Sequence, residues 1–182
     1  MEYVLQASGL TKSYRKNRGL NGVSMNIQRG DIYGFVGENG SGKTTVIRLI
    51  TGLIYADSGE FSLFGTKSTD PAILSARARI GAIVESPSIY LNMSAKENLL
   101  MQSSILGIKD EEKCKSILNT VGLGNLWDSK KHSGDFSLGM RQRLGLAQAI
   151  MDQPSLLILD EPMNGLDNRG VEDIRKLLLQ LK

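Results

Sequence analysis

The sequence predicts an α/β fold: a parallel sheet covered by helices on both faces and interrupted by an all-helical insert. Three observations predict it. Short apolar runs of strand length alternate with segments of helical period, and a glycine-rich loop joins one such run to a helix. A very apolar run, Leu156 to Leu159, ends in two adjacent acids, Asp160 and Glu161. Residues 1–182 are long enough for one domain, because at this length a compact fold hides roughly 70% of its unfolded surface.

Taken in order, Val23, Met25 and Ile27 alternate with polar residues as in a half-buried strand, and Ile32 to Val36 reads as a short strand buried on both faces. After Gly42, the residues Val46, Ile47, Leu49 and Ile50 fall on one helical face, with Gly52 where a helix stop belongs. Glu60 to Phe64, Ile80 to Val84 and Leu156 to Leu159 read as further strands. From Glu85 to about Asp135 the period is helical only. Ser94 followed by Glu97 forms a capping box, and Asp110 opens another helix that Gly122 can close. This divides the chain into a core of residues 1–85 and 135–182 and a helical subdomain of residues 86–134. A last helix, Val171 to Leu181, carries Ile174, Leu177, Leu178 and Leu181 toward a core. Trp127 and the methionines read as core fillers.

Composition removes several function classes. With 22 Lys and Arg against 19 Asp and Glu, the net charge is only +3, and the hydrophobic share is 41%, which excludes disorder for the whole chain. Lys12, Arg15, Lys16 and Arg18 form the one dense basic group and read as a solvated loop, so no nucleic-acid partner is expected. Cys114 is the sole cysteine, which excludes an intrachain disulfide and a four-cysteine zinc site and fits a reducing compartment. The start, MEYVLQASGL, lacks the basic-then-apolar order of a secretory signal, and no apolar run is long enough to span a bilayer, so a membrane role needs a partner. Glycine is in excess, at about 11% against a usual ~7%. That asks where backbone must approach something closely.

Gly37, Glu38, Asn39, Gly40, Ser41, Gly42, Lys43 and Thr44 answer it, by matching the phosphate-loop pattern of two glycines four residues apart before Lys and Ser or Thr. Glycines let successive N–H groups turn onto phosphate oxygens, and the following helix offers its positive end. Lys43 adds a charge, and Thr44 a hydroxyl for Mg²⁺. Asp160 and Glu161 supply the complement at the carboxyl end of a strand, where open parallel sheets bind ligands. Side chains alternate along a strand, so one acid can serve the metal while the other faces an attacking water.

Phe136-Ser137-Leu138-Gly139-Met140-Arg141-Gln142-Arg143 resembles the signature motif of ATP-binding cassette proteins. With the phosphate loop, Asp160-Glu161 and Asn164-Gly165-Leu166-Asp167, four motifs stand in that family's order, and the resemblance runs from about Val4 to Lys182. The usual signature has two glycines and Gln after its Ser. Leu138 and Met140 depart from it as in a subset resembling bacitracin-resistance and lantibiotic-immunity exporters. Glu85 stands where the family has its loop glutamine, a second likeness to that subset, supported by Ile89, Tyr90 and the Asn98-Leu99 pair.

The resemblance implies a phosphate-loop NTPase core with a small antiparallel β subdomain, ATP and Mg²⁺ as cofactors, and Tyr14 stacking on adenine. It implies ATP contacts from Gly37, Asn39, Gly40, Ser41, Gly42, Lys43, Thr44 and Thr45, and metal contacts from Thr44, Asp160 and Glu85. Glu161, Glu85 and Lys43 are the catalytic set. Ser137, Leu138, Gly139 and Met140 face the ATP of a second copy, with Asp167 beside them, in a head-to-tail dimer attached to permease subunits at the cytoplasmic face of the membrane. The family's switch histidine lies further beyond the strand acids than the residues between Glu161 and Lys182 extend, and His132, the sole histidine, precedes the signature and reads as solvated or packed. The resemblance therefore implies a C-terminally truncated domain. Three readings stay open: an ATP-hydrolysing exporter subunit, a nucleotide-binding fragment without turnover, and a nucleic-acid-processing ATPase. The last is disfavoured because no coiled coil or zinc module separates Lys43 from Ser137.

Overall fold

The antiparallel part of the molecule comes first in the chain. The computed structural model describes residues 2–14 and 17–181, so Arg15 and Lys16 of the basic group, and the side chain of Arg18, lie outside what can be described. Strands β1 (Tyr3–Tyr14) and β2 (Asn17–Gln28) pair antiparallel, and β1 also pairs with β3 (Ser58–Leu63), which carries the short β4 (Thr66–Lys67). The sheet order is β2-β1-β3-β4. The alternation of Val23, Met25 and Ile27 holds, with Met25 turned inward.

Between β2 and β3, helix α1 (Lys43–Thr51) lays its apolar face on this sheet. Val46, Leu49 and Ile50 pack with Leu5, Leu10 and Leu63 in one core. Each fully buried leucine there contributes about 1.5–3 kcal/mol relative to exposure. Gly52 ends α1 at φ +85, a left-handed conformation that costs glycine little. Helix α2 (Ile73–Arg77) closes the sheet's edge with Ile73 and Ala76.

A second core follows. Strand β5 (Ile80–Ile83) pairs in parallel with β6 (Leu156–Leu159), Ile83 opposite Leu159, and the Asp160 N–H donates to the Ile83 carbonyl just past the ladder. Helices α3 (Ala95–Ile105), α4 (Glu111–Thr120) and α5 (Leu138–Ala149) bury Leu99, Leu118, Leu144 and Trp127 together, and α6 (Asn168–Gln180) adds Leu177. The Ser94–Glu97 capping box is complete, and the Asp110 carboxylate accepts from the Lys113 N–H. Two single 3₁₀ turns, at Gly124–Leu126 and Ser133–Asp135, lead from α4 to α5.

Four expectations are corrected. Ile32 to Val36 forms no strand and is exposed, Val36 by 90%. Strand backbone needs a ladder partner, and among the described residues the parallel sheet has two strands, neither beside this run. For the same reason Leu156 to Leu159 are each half-buried instead of covered on both faces. The last helix starts at Asn168 because Asp167 caps it, accepting from the Gly170 N–H at 2.8 Å. Leu181 is its C-cap and points outward, whereas Ile174 and Leu177 are buried.

Candidate functional site

The loop before α1 is shaped to receive an anion. Gly40 and Gly42 have φ of +82 and +96, and Gly42 is the N-cap of α1 with no side-chain cap and no acid in the first turn. The first N–H groups and the positive end of the helix therefore remain for a ligand. A Cβ on Gly42 would overlap the Gly19 carbonyl oxygen, so glycine is required sterically as well. Lys43 Nζ donates to the carbonyls of Gly37 (2.8 Å) and Glu38 (3.0 Å), bridging its own loop, and the Ser41 N–H donates to Glu38 O at 3.1 Å. Asn39 and Ser41 are exposed, while Thr45 is buried beneath the helix start. The Tyr14 ring, 42% exposed, lies against Gly19, the residue that touches Gly42, which sets an aromatic face beside the loop.

The end of β6 meets this loop. Thr44 Oγ1 donates to Asp160 Oδ2 at 2.8 Å, and Asp160 is 5% exposed. A hydroxyl and a carboxylate at this separation are two hard oxygen donors, the number a protein normally offers Mg²⁺ alongside phosphate oxygens and water. These residues fit that ion. Glu161 sits at φ +45, a conformation few non-glycine residues adopt, and its carboxylate accepts from Asn164 Nδ2 at 3.2 Å.

A cavity of about 540 Å³ opens between them, lined by Thr44, Glu85, Leu138, Gln142, Asp160 and Glu161 among others. Glu85, also at positive φ (+63), directs its carboxylate to an ion pair with Arg48. Asp160, Glu161 and Glu85 thus share a cavity but each has its own partner. Among the described residues no three His, Cys, Asp or Glu gather as a metal cluster. Two residues beside the site have no role readable from sequence: Gln142, which lines this cavity, and Arg48, which pairs with Glu85 and lines a neighbouring one. Arg48 was an ordinary basic position on a helix, although an acid in place of a neutral glutamine hints at a countercharge. Gln142 is buried with Oε1 lacking a hydrogen-bond partner among the described residues, and no sequence signal marks that.

The signature residues begin α5. Ser137 is exposed and caps the helix by accepting from the Met140 N–H at 3.2 Å, so the helix starts at Leu138, ahead of Gly139. Leu138 is 38% exposed, Gly139 lies near Leu166, and Met140 packs against the helical core. Asp167 is exposed beyond them, and His132 is exposed and apart from the cavity.

The ABC transporter family profile matches residues 20–164. Similar proteins include the bacitracin transport ATP-binding protein BcrA of Bacillus licheniformis, 44% identical over all of this chain and 58% of its own length. The lantibiotic transport ATP-binding protein SrtF of Streptococcus pyogenes is 40% identical over 98% of this chain and 75% of its own. The chain thus spans 58% of the length of BcrA. Among solved structures, the ADP conformation of MJ1267, an ATP-binding cassette of an ABC transporter, superposes with a TM-score of 0.84 at 29% identity, over 100% of this chain and 77% of that one. CbiO1 of Clostridium perfringens, part of the cbiONQ transporter complex, gives 0.84 at 27% identity, over 100% and 74%. The fold is that of these phosphate-loop cassettes, and the chain belongs to the ABC transporter family.

Proposed function

We propose that this chain is the ATP-binding and hydrolysing portion of a membrane exporter for peptide antibiotics of the bacitracin or lantibiotic kind, working with permease subunits at the cytoplasmic face of the membrane. The observation that carries the reading is the Thr44–Asp160 hydrogen bond, which joins the phosphate loop to the acids at the end of β6. BcrA and SrtF, named for bacitracin and lantibiotic transport, support the substrate class.

In this reading the amides of Gly40, Ser41, Gly42 and Thr45 hold phosphate oxygens, and Lys43 exchanges the carbonyls of Gly37 and Glu38 for them. Gly37 and Asn39 shape the rim, and Tyr14 offers its face to adenine. Thr44 and Asp160 would hold Mg²⁺, which would supply positive charge against the phosphates. Glu161, fixed by Asn164, orients the attacking water in line with the leaving oxygen. Glu85 reports the state of the site toward the permease. Ser137, Leu138, Gly139 and Met140 at the start of α5, with Asp167, contact the ATP of a second copy arranged head to tail, where the positive end of α5 favours the γ-phosphate.

Calorimetric titration with Mg-ATP tests it. The Lys43→Ala variant binds more weakly by about 1.5–3 kcal/mol, since a charge-assisted contact is lost while the amides remain. Equal affinities for the two proteins would overturn the assignment.

A further inference from the structure

We propose that Arg48 is a positioning residue: it holds the Glu85 carboxylate away from Asp160 and Glu161 and so sets how strongly nucleotide binding depends on a divalent cation. The inference rests on the nucleotide-site reading above and adds to it a residue that none of the motifs contains. Its basis is the register of α1. Residues four apart share a helix face, so Arg48 lies one turn below Thr44. Thr44 donates to Asp160, and one turn later Arg48 engages Glu85. The two acids leave neighbouring parallel strands, Glu85 two residues past Ile83 and Asp160 one past Leu159, with Ile83 and Leu159 paired in the ladder.

One helix face therefore meets both strand ends, and only Glu85 receives a cation from it. Glu85 stands on the wall between the cavity it shares with Asp160 and Glu161 and a second of about 530 Å³ that Arg48 also lines. The pair is partly exposed, with side chains 37% and 57% accessible, so it adds little to fold stability. Its effect is to fix where a negative charge sits. A neutral glutamine at this position would need no such partner, whereas a free glutamate beside two other carboxylates repels the phosphates of metal-free ATP.

The test compares binding of ATP with and without Mg²⁺ by calorimetry, using the chain, Arg48→Gln, Arg48→Lys, Glu85→Gln and the Arg48→Gln/Glu85→Gln double variant. Arg48→Gln should raise the ratio of Mg²⁺-supported to metal-free affinity about three- to fivefold, the range accessible to a partly exposed charge pair. Arg48→Lys should stay near the original ratio. In the Glu85→Gln background the same Arg48→Gln change should shift the ratio less than twofold. An equal shift in both backgrounds, or none in either, would overturn the inference, since Arg48 would then act by its own charge or not at all. Lys43→Ala separates the two readings. If it loses affinity while Arg48→Gln leaves the ratio unchanged, the nucleotide site stands and the Arg48 inference falls; if it binds as the parent does, both fall.

Discussion

The apolar run Ile32 to Val36 is denser in hydrophobic residues than the helical segment from Met93 to Phe136, yet the segment buries its apolar side chains in a shared core and the run is exposed. The difference lies in where their partners come from. In the helical segment, backbone groups are satisfied within a few residues, by the Ser94–Glu97 box and the Asp110 cap. Asn98, fully buried, accepts from the Tyr90 N–H, and its two Nδ2 hydrogens are shared among the carbonyls of Tyr90, Met93 and Ser94 and Ser133 Oγ, tying the loop before α3 to the turn before the signature. Ile32 to Val36 has no local substitute for a ladder. An extended segment becomes a strand only when another strand lies alongside.

Four variants would break or sharpen this contrast. The largest effect is expected at Leu99, fully buried in the helical core: Leu99→Ala should destabilise the chain by about 2–5 kcal/mol in urea unfolding. A loss below about 1 kcal/mol would mean that the helical core is looser than its burial indicates. Next comes the cap, where Ser94→Ala should cost about 1 kcal/mol. Accepting the Ser94 N–H holds the Glu97 carboxyl below the usual range. A depressed folded pKa adds stability above the unfolded value, about 4.3, and loses it as pH falls through the folded one. The destabilisation by Glu97→Gln should accordingly be present at pH 7 and shrink in acid, and a penalty independent of pH would remove the carboxylate from the cap. The smallest effect is expected at Val36, where Val36→Ala should stay within about 0.5 kcal/mol of the parent. A loss of 2 kcal/mol would place Val36 in a packed strand and erase the contrast.

The same division explains what was legible in the sequence. The loop into α1, its stop at Gly52, the Ser94 and Asp110 caps and β5 and β6 all carry signals within a few residues. Helix α2 escaped notice because it has five residues and Ala72 at its N-cap supplies no side-chain acceptor. Strand β1 escaped because its pattern is broken by Gly9 and by repeated register shifts against β2, and its other partner, β3, lies beyond α1 in the chain; the antiparallel sheet was implied only by the family resemblance. In the site, the phosphate loop and the two strand acids were readable as motifs. The Arg48–Glu85 pair joins a helix to a strand end and is visible only once both are placed.

The central claim is that the phosphate loop and the end of β6 form one metal-nucleotide site through Thr44 and Asp160. The most direct measurement is ATP affinity as a function of Mg²⁺ for the chain and for Asp160→Asn, which keeps the shape of the side chain and an acceptor for the Thr44 hydroxyl while removing the charge. The account predicts that Mg²⁺ tightens ATP binding in the chain and that this gain falls about tenfold or more, roughly 1.4 kcal/mol, in the variant, with metal-free affinity equal or higher. An undiminished Mg²⁺ gain in Asp160→Asn would contradict it.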